Sequence, residues 1–366
     1  MNTLKITDIK IRGVSVPLNI PIVSHLGIFD YWPYICLDVY TNSKIVGKSY
    51  IGPYLLEQLP SIAHCIKALS NKFLNNNVSP HTIYNEGMKY LSLLGYKGIG
   101  LYALAAVDIA LWDIISKLHS LPLAKYLGGS IKPIKTYNSS GLWLIKIKEL
   151  AKEAEKLRSQ GNFSALKLRI GRETAKLDEI SLKEVKKGAG EDVIILSDFN
   201  QCFTAKEGLR RCKELDNQGF FWFEEPIKYN EYNDLAKICF NVETPITIGE
   251  NFHGIPDLIQ AISSKSCDMI MPDLMRIGGI SNWLKLAAIA EAYNLEVSSH
   301  LFPEVTSHLM MVTPTAEWLE WVDWQNPILE EPYKIKDGFL IIPAKPGIGI
   351  DWNEKVLEKY SVNLSL

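Results

Sequence analysis

The chain has 366 residues, 47% of them hydrophobic and 22% charged. That composition argues against a disordered protein and suits one large core with a smaller companion domain. A formal net charge of −2, with no long Lys/Arg block, argues against a sequence-independent grip on nucleic acid or an anionic membrane, which leaves small-molecule chemistry. The six cysteines are scattered without a Cys-x-x-Cys pair, and "MNTLKITDIK" lacks the apolar core of a signal peptide, so a reduced, cytoplasmic protein is expected. The longest apolar stretches contain Asp or Lys, and no membrane span is expected.

The first part reads as strands, "KITDIKIRGV" and "YICLDVYTNSKIVGKSY", with Thr41-Asn42-Ser43 as the turn of an antiparallel hairpin. A helical pattern over 100–120, "GLYALAAVDIALWDIISKLHS", is closed by Pro122. Residues 1–130 therefore read as an α+β domain. From about residue 132 the rhythm changes to short β runs separated by amphipathic, glycine-ended helices such as "IKELAKEAEKLRSQG" and "SLKEVKKGAG". The runs are "IKTYNSS", "ALKLRI", "VIILSD", "FFWFEE", "ITIGE", "DMIMPD", "EVSSH" and "AEWLE". Eight strands at βα spacing favour a closed parallel α/β barrel over 131–325. The tail, 326–366, reads as strand and turn and is expected to return to the first domain.

Most β runs end in an ionisable residue: Asp198, Glu224, Glu250, Asp273, His300 and Glu320, with Lys167 and Arg169 on an earlier one. Parallel strands bring their C-terminal ends to one mouth, so these residues converge in space. Any one acid after a strand can merely cap the following helix. Here "SDFNQCF", "EEPIKYN" and "GENFHGIP" insert loop residues first. Asp198, Glu224 and Glu250 come from consecutive strands and offer only hard oxygens. Three such carboxylates repel unless a cation joins them, and Mg2+ suits that donor set better than zinc. Asp273 and His300 end neighbouring strands, which lets the carboxylate orient the imidazole as a general base. Lys167 and Arg169 share one face of their strand, and Leu166, Leu168 and Ile170 share the other. In a barrel the cations face the interior, where buried positive charge needs anions nearby.

Together these residues resemble the enolase superfamily and, within it, the mandelate racemase subgroup. "AAVDIALWDIISK" and "PLAKYLGG" resemble the family's approach to its barrel. "LKLRIG", "SDFNQ", "WFEEP", "IGEN", "MPDLMRIGGI", "SSHLFPEVTSHL" and "TPTAEWLE" resemble its successive strand ends. The resemblance implies an α+β capping domain over a modified (β/α)7β barrel, with Mg2+ held by Asp198, Glu224 and Glu250. It implies abstraction of the proton α to a substrate carboxylate through an enediolate, with Asp273 and His300 as the base. Glu320 is implied as hydrogen-bond donor to that carboxylate, Lys167 as its cationic neighbour, and Asn200 and Ser139 as substrate contacts. A homo-oligomer acting on a small carboxylate is also implied, with no nucleic-acid or membrane partner. Glu320 can donate only if its pKa is raised, as burial beside anions would do.

In the racemase pattern the strand motif is Lys-x-Lys, and the second lysine is the base for the opposite face. Here that position is Arg169. A guanidinium is a poor proton acceptor at neutral pH, so Arg169 is expected to bind substrate rather than take a proton. One base suffices to remove the α-proton and expel a β-hydroxyl, and dehydration of a hydroxy (sugar) acid to a 2-keto acid is the expected reaction. Racemisation or epimerisation of a 2-hydroxy acid is the alternative, and a non-catalytic metal-binding relative the alternative of another class. The segment "PIVSHLGIFDYWPY", 21–34, matches a mobile lid, and its aromatic residues pack on Tyr54 at the rim or meet substrate with it.

Overall fold

The computed structural model describes residues 4–25 and 27–366; residues 1–3 of the N-terminal segment and Leu26 of the expected lid lie outside the described residues. Alternating apolar residues give three antiparallel strands, β1 (Ile6–Ser24), β2 (Gly27–Thr41) and β3 (Val46–Ile51). The β2–β3 turn is held by the Thr41 and Ser43 hydroxyls, which bond each other and the backbone of Ile45. The expected lid loop is instead the far half of the β1–β2 ribbon, where Ile22 pairs with Phe29, Val23 with Ile28 and Ser24 with Gly27. β-branched and aromatic side chains there favour a strand over a loop. The register breaks between Pro17 and Ile22, a bulge that lets the ribbon bend. Beyond it, Leu144 on the barrel rim donates its N–H to the Val23 carbonyl at 3.1 Å.

Helices α1 (Leu59–Phe73), α2 (Pro80–Leu91) and α3 (Ile99–Leu118) complete this domain. The 20 residues of α3 are long and apolar enough to cross a bilayer, with mean hydropathy 1.7 in the most apolar window, and 78% of that window is buried inside the protein. A helix apolar all round is what a central position between two layers demands. It packs on β3 on one side and on the barrel helices on the other.

After the short α4 (Leu123–Tyr126), strands and helices alternate. They run β4 (Ile134–Asn138), α5 (Ile147–Ser159), β5 (Ala165–Arg169), α6 (Ala175–Ala189), β6 (Ile194–Asp198), α7 (Ala205–Leu215), β7 (Phe220–Glu224) and α8 (Tyr232–Asn241). They continue β8 (Ile246–Ile248), α9 (Ile255–Ser264), β9 (Met269–Ile270), α10 (Leu274–Ile277), α11 (Ile280–Ala292), β10 (Glu296–Val297), α12 (Pro303–Met310) and β11 (Leu319–Trp321). Neighbouring strands pair in parallel, and β11 pairs with β4. A Val297–Ala316 bridge joins the last two staves, so the sheet closes as a (β/α)7β barrel. β8, β9 and β10 end before the mouth residues Glu250, Asp273 and His300, the last two pairing with each other as a single bridge, whereas Glu320 stays in the β11–β4 ladder.

Tyr137, Ala165, Leu196, Trp222, Met269 and Trp318 form a separate apolar plug. Ala165 places it on the inward face of β5, directly below Lys167 in the alternation. The tail forms β12 (Ile335–Lys336) and β13 (Phe339–Leu340) against β4, then α13 (Glu354–Lys359) and β14 (Ser361–Val362), which pairs with β1. Trp352 Nε1 donates to Asp38 Oδ1 at 2.7 Å, fastening the tail to the N-terminal sheet.

Candidate active site

Lys167 and Arg169 point inward from β5, and both are buried, 1% and 4% exposed. Lys167 Nζ lies 3.1 Å from Glu224 Oε1, 2.9 Å from Glu320 Oε1 and 3.5 Å from Asp198 Oδ2. Burial works against its charge, but those three carboxylates outweigh burial and raise its pKa. Asp198 and Glu224 stand in register on β6 and β7, and Glu250 follows two residues after β8. The sequence expectation that these three meet at one mouth describes their placement.

Asp273 settles a choice left open by sequence. One oxygen accepts from the Arg276 N–H at 2.9 Å and caps α10, while the other holds His300 Nδ1 at 2.8 Å. The cap and the dyad are the same residue. With Nδ1 committed to Asp273, Nε2 is the nitrogen that faces the cavity side, 3.1 Å from Glu250 Oε2. Burial disfavours the imidazolium, yet Glu250, Glu320 and Asp273 outweigh it and raise the His300 pKa. Burial would raise the Glu320 pKa, but Lys167 and His300 pull it down to about 2. Its second oxygen accepts from the Leu301 N–H at 2.8 Å.

Arg169 is fixed more firmly than a free substrate ligand. Nη1 donates to the carbonyls of Ser139 and Gly141 and Nη2 to Ser139 Oγ, all at 2.9 Å, and the guanidinium lies 3.7 Å from the centre of the Trp143 ring. Only Nε, 3.8 Å from Asp198, has no hydrogen-bond partner. Ser139 is thereby corrected from a substrate contact to a support, since it is fully buried behind the guanidinium it holds. Asn200 lines the cavity with its N–H and Nδ2 both on Asp198, at 2.7 and 3.0 Å. Tyr54 lines it too, its ring 4.5 Å from the Arg276 guanidinium.

Sequence reasoning passed over Arg276, Asn251 and Glu225. Arg276 Nη1 donates to the Glu250 carbonyl at 3.1 Å and to Asn251 Oδ1, and lies 3.7 Å from Glu250 Oε1. Asn251 Nδ2 donates to both Glu225 oxygens, at 3.0 and 2.8 Å. Their signal was local: an arginine three residues after Asp273, and an acid and an amide next to two expected ligands.

Among the described residues no three His, Cys, Asp or Glu side chains are drawn together as a closed metal cage; Lys167 and His300 occupy the carboxylates instead. The donor set nonetheless fits a hard divalent cation. Asp198, Glu224, Glu225, Glu250, Asp273 and Glu320 crowd around Lys167, Arg169, Arg276 and His300, and negative charge is in excess. The Glu224 pKa is pushed well up by burial and by Asp198, and that of Glu225 by burial and Glu250, as expected where positive charge is short.

The site opens into a cavity of ≈ 600 Å³ between the two domains. The barrel supplies the charged floor. The N-terminal domain supplies Ile22, Phe29, Trp32, Tyr54, Ile62 and Tyr102, and Trp143 and Trp324 join them from the barrel rim.

A charged barrel mouth under an α+β cap is the arrangement of a known enzyme class, and two family models match it. Residues 6–128 match the mandelate racemase/muconate lactonizing enzyme N-terminal domain, and residues 149–356 the enolase C-terminal domain-like family. The chain belongs to the enolase superfamily, in its mandelate racemase/muconate lactonizing enzyme branch. It is 30% identical to the L-talarate/galactarate dehydratase of Salmonella typhimurium over 75% of this chain and 69% of that one. A crystal structure of an enolase from alpha proteobacterium BAL199 with bound magnesium superposes with a TM-score of 0.97 at 37% identity, over 98% of this chain and all of that one. An enolase from Bradyrhizobium complexed with magnesium and mandelic acid superposes with a TM-score of 0.94 at 32% identity, over 99% of this chain and 100% of that one.

Proposed function

We propose that the protein dehydrates a hydroxy (sugar) acid to a 2-keto acid by removing the proton α to its carboxylate. The observation that carries this reading is the pairing of one competent base, His300 held by Asp273, with an arginine tied down by three hydrogen bonds at the second lysine's position in the racemase pattern. The dehydratase relative supports it.

Asp198, Glu224 and Glu250 would hold Mg2+, which when bound supplies the positive charge that makes an α-proton removable near neutral pH. Magnesium in the two solved relatives supports that choice. Lys167, kept charged by its carboxylate neighbours, offsets the negative charge that develops on the substrate carboxylate. His300 Nε2, the nitrogen not committed to Asp273, would accept the α-proton once Glu250 turns to a bound cation and no longer holds the imidazolium. The same imidazolium returns it to the departing β-hydroxyl, so a C–H and a C–O bond break, water leaves, and the enol tautomerises to the keto acid. Asp273 keeps the tautomer fixed throughout. Asn200 and Tyr54, both on the cavity wall, orient the substrate.

Incubating hydroxy acids with Mg2+ in D2O and trapping keto acid tests the reading. Keto acid should form with exchange confined to one configuration, and His300→Asn should lose about 10²–10⁴-fold of the rate. Deuterium in recovered substrate of both configurations would overturn it. A cytoplasmic homo-oligomer belongs to the same proposal. The family resemblance and the exposed apolar side chains of Leu93, Leu94 and Phe240 support self-association, which light scattering measures.

A further inference from the structure

We infer that the substrate is a monocarboxylic hydroxy acid whose tail is uncharged and presents an apolar face, and that diacids are disfavoured. This rests on the reading above that the substrate's carboxylate lies on the charged floor. The cavity grades from a charged floor to an aromatic wall. Its fixed cations, Lys167, Arg169 and Arg276, all sit at the reacting end, and each is engaged: Lys167 by three carboxylates, Arg169 by Ser139 and Gly141 under Trp143, and Arg276 by Glu250 and Asn251 under Tyr54.

The far wall is aromatic. The Trp32 and Trp324 rings lie 4.7 Å apart at its centre, while Tyr54, 5.1 Å from Trp32, and Trp143, 6.3 Å from Trp324, join them to the Arg276 and Arg169 guanidiniums. Phe29 enters from the β-ribbon. The phenols of Tyr54 and Tyr102 have raised pKa values, from burial first, and stay neutral. His25 is the one side chain that the cap adds to the described lining and that can carry positive charge, and it is exposed, where solvent screens charge. A second carboxylate against Trp32, Trp324 and Phe29 would therefore lose its hydration without gaining a charged partner. A tail with a C–H or ring face gains contact area on the same surface.

The experiment is calorimetric titration of the full-length, Mg2+-loaded protein with oxalate, phenylglyoxylate and 2-oxoglutarate. None carries a proton on the carbon next to its C1 carboxylate, so binding through that carboxylate at the charged floor is read without turnover. Phenylglyoxylate should bind at least tenfold more tightly than 2-oxoglutarate. Phe29→Ser should weaken phenylglyoxylate at least fivefold and leave oxalate, which has no tail, within twofold; Trp32→Leu, at a second point on the wall, should do the same. The inference is overturned if 2-oxoglutarate binds as tightly as phenylglyoxylate, if both variants weaken oxalate and phenylglyoxylate equally, or if none of the three binds. Dehydration fails separately, if phenylglyoxylate keeps its preference while no hydroxy acid gives keto acid.

Discussion

Asp273 caps α10 with one oxygen and holds His300 with the other, so substitution can separate the two tasks. Asn is as good a cap as Asp but leaves the imidazole Nδ1 without a charged partner. Asp273→Asn should keep the unfolding midpoint in urea near that of the parent while kcat for keto-acid formation falls about 10²-fold or more. Asp273→Ala should lose the same activity and about 1 kcal/mol of stability besides. Arg169→Lys places an amine where the racemase pattern has its base, yet a lysine cannot span two carbonyls and a hydroxyl while stacking on Trp143. It should cost about 1–3 kcal/mol in urea denaturation, because the Ser139 and Gly141 carbonyls lose their buried donors.

At the scale of elements, α3 joins the two domains through two buried acids. Asp108 accepts from the Ser281 N–H at 2.9 Å and from Ser281 Oγ, at the start of α11. Asp113 accepts from the N–H groups of Ile348 and Lys48, both at 2.8 Å, and from Lys117. Gly347 has φ +77, and a Cβ there would lie 2.0 Å from Asp113 Oδ1, so only glycine lets the tail approach. Asp113→Ala strands the buried Ile348 N–H and the half-buried Lys48 N–H and should cost about 2–5 kcal/mol, measured by urea denaturation. On α12, His308 accepts from the Ala124 N–H at 3.0 Å, and burial depresses its pKa from 6.5 to about 3. A depressed pKa means that the unfolded chain binds the proton more readily. Stability is therefore complete above pH 6.5 and falls as the pH drops from there toward 3. By pH 5 this one group should remove about 2 kcal/mol, and His308→Gln should flatten the melting temperature between pH 5 and 7.

For the whole molecule, the excess of carboxylates at the barrel mouth ties folding to cation binding. Mg2+ at a hundred times its Kd should stabilise the protein by about 2.7 kcal/mol and raise the melting temperature, and EDTA should reverse both and abolish turnover. An unchanged melting temperature across a Mg2+ titration would count against Asp198, Glu224 and Glu250 as ligands.

Much of this architecture was legible in the residues. Parallel strands at one βα spacing must deliver their last residues to one mouth, so Asp198, Glu224, Glu250, Asp273, His300 and Glu320 could be gathered from order alone. Strand alternation likewise turned Lys167 and Arg169 inward before any contact was known. Other features were settled by the tertiary structure because they depend on which groups meet across strands. Ser139 became a support because the Arg169 fork reaches it. Glu320 acquires a cationic partner because Lys167 stands 2.9 Å away. The segment expected to cover the site takes the form of a ribbon through its pairing with β1. Sequence determined the inventory and its convergence, since these follow from period and chain direction. Charge state, engagement of each cation and the aromatic far wall arose only on folding, since electrostatics and desolvation act through distances that residues far apart in sequence acquire when the barrel closes.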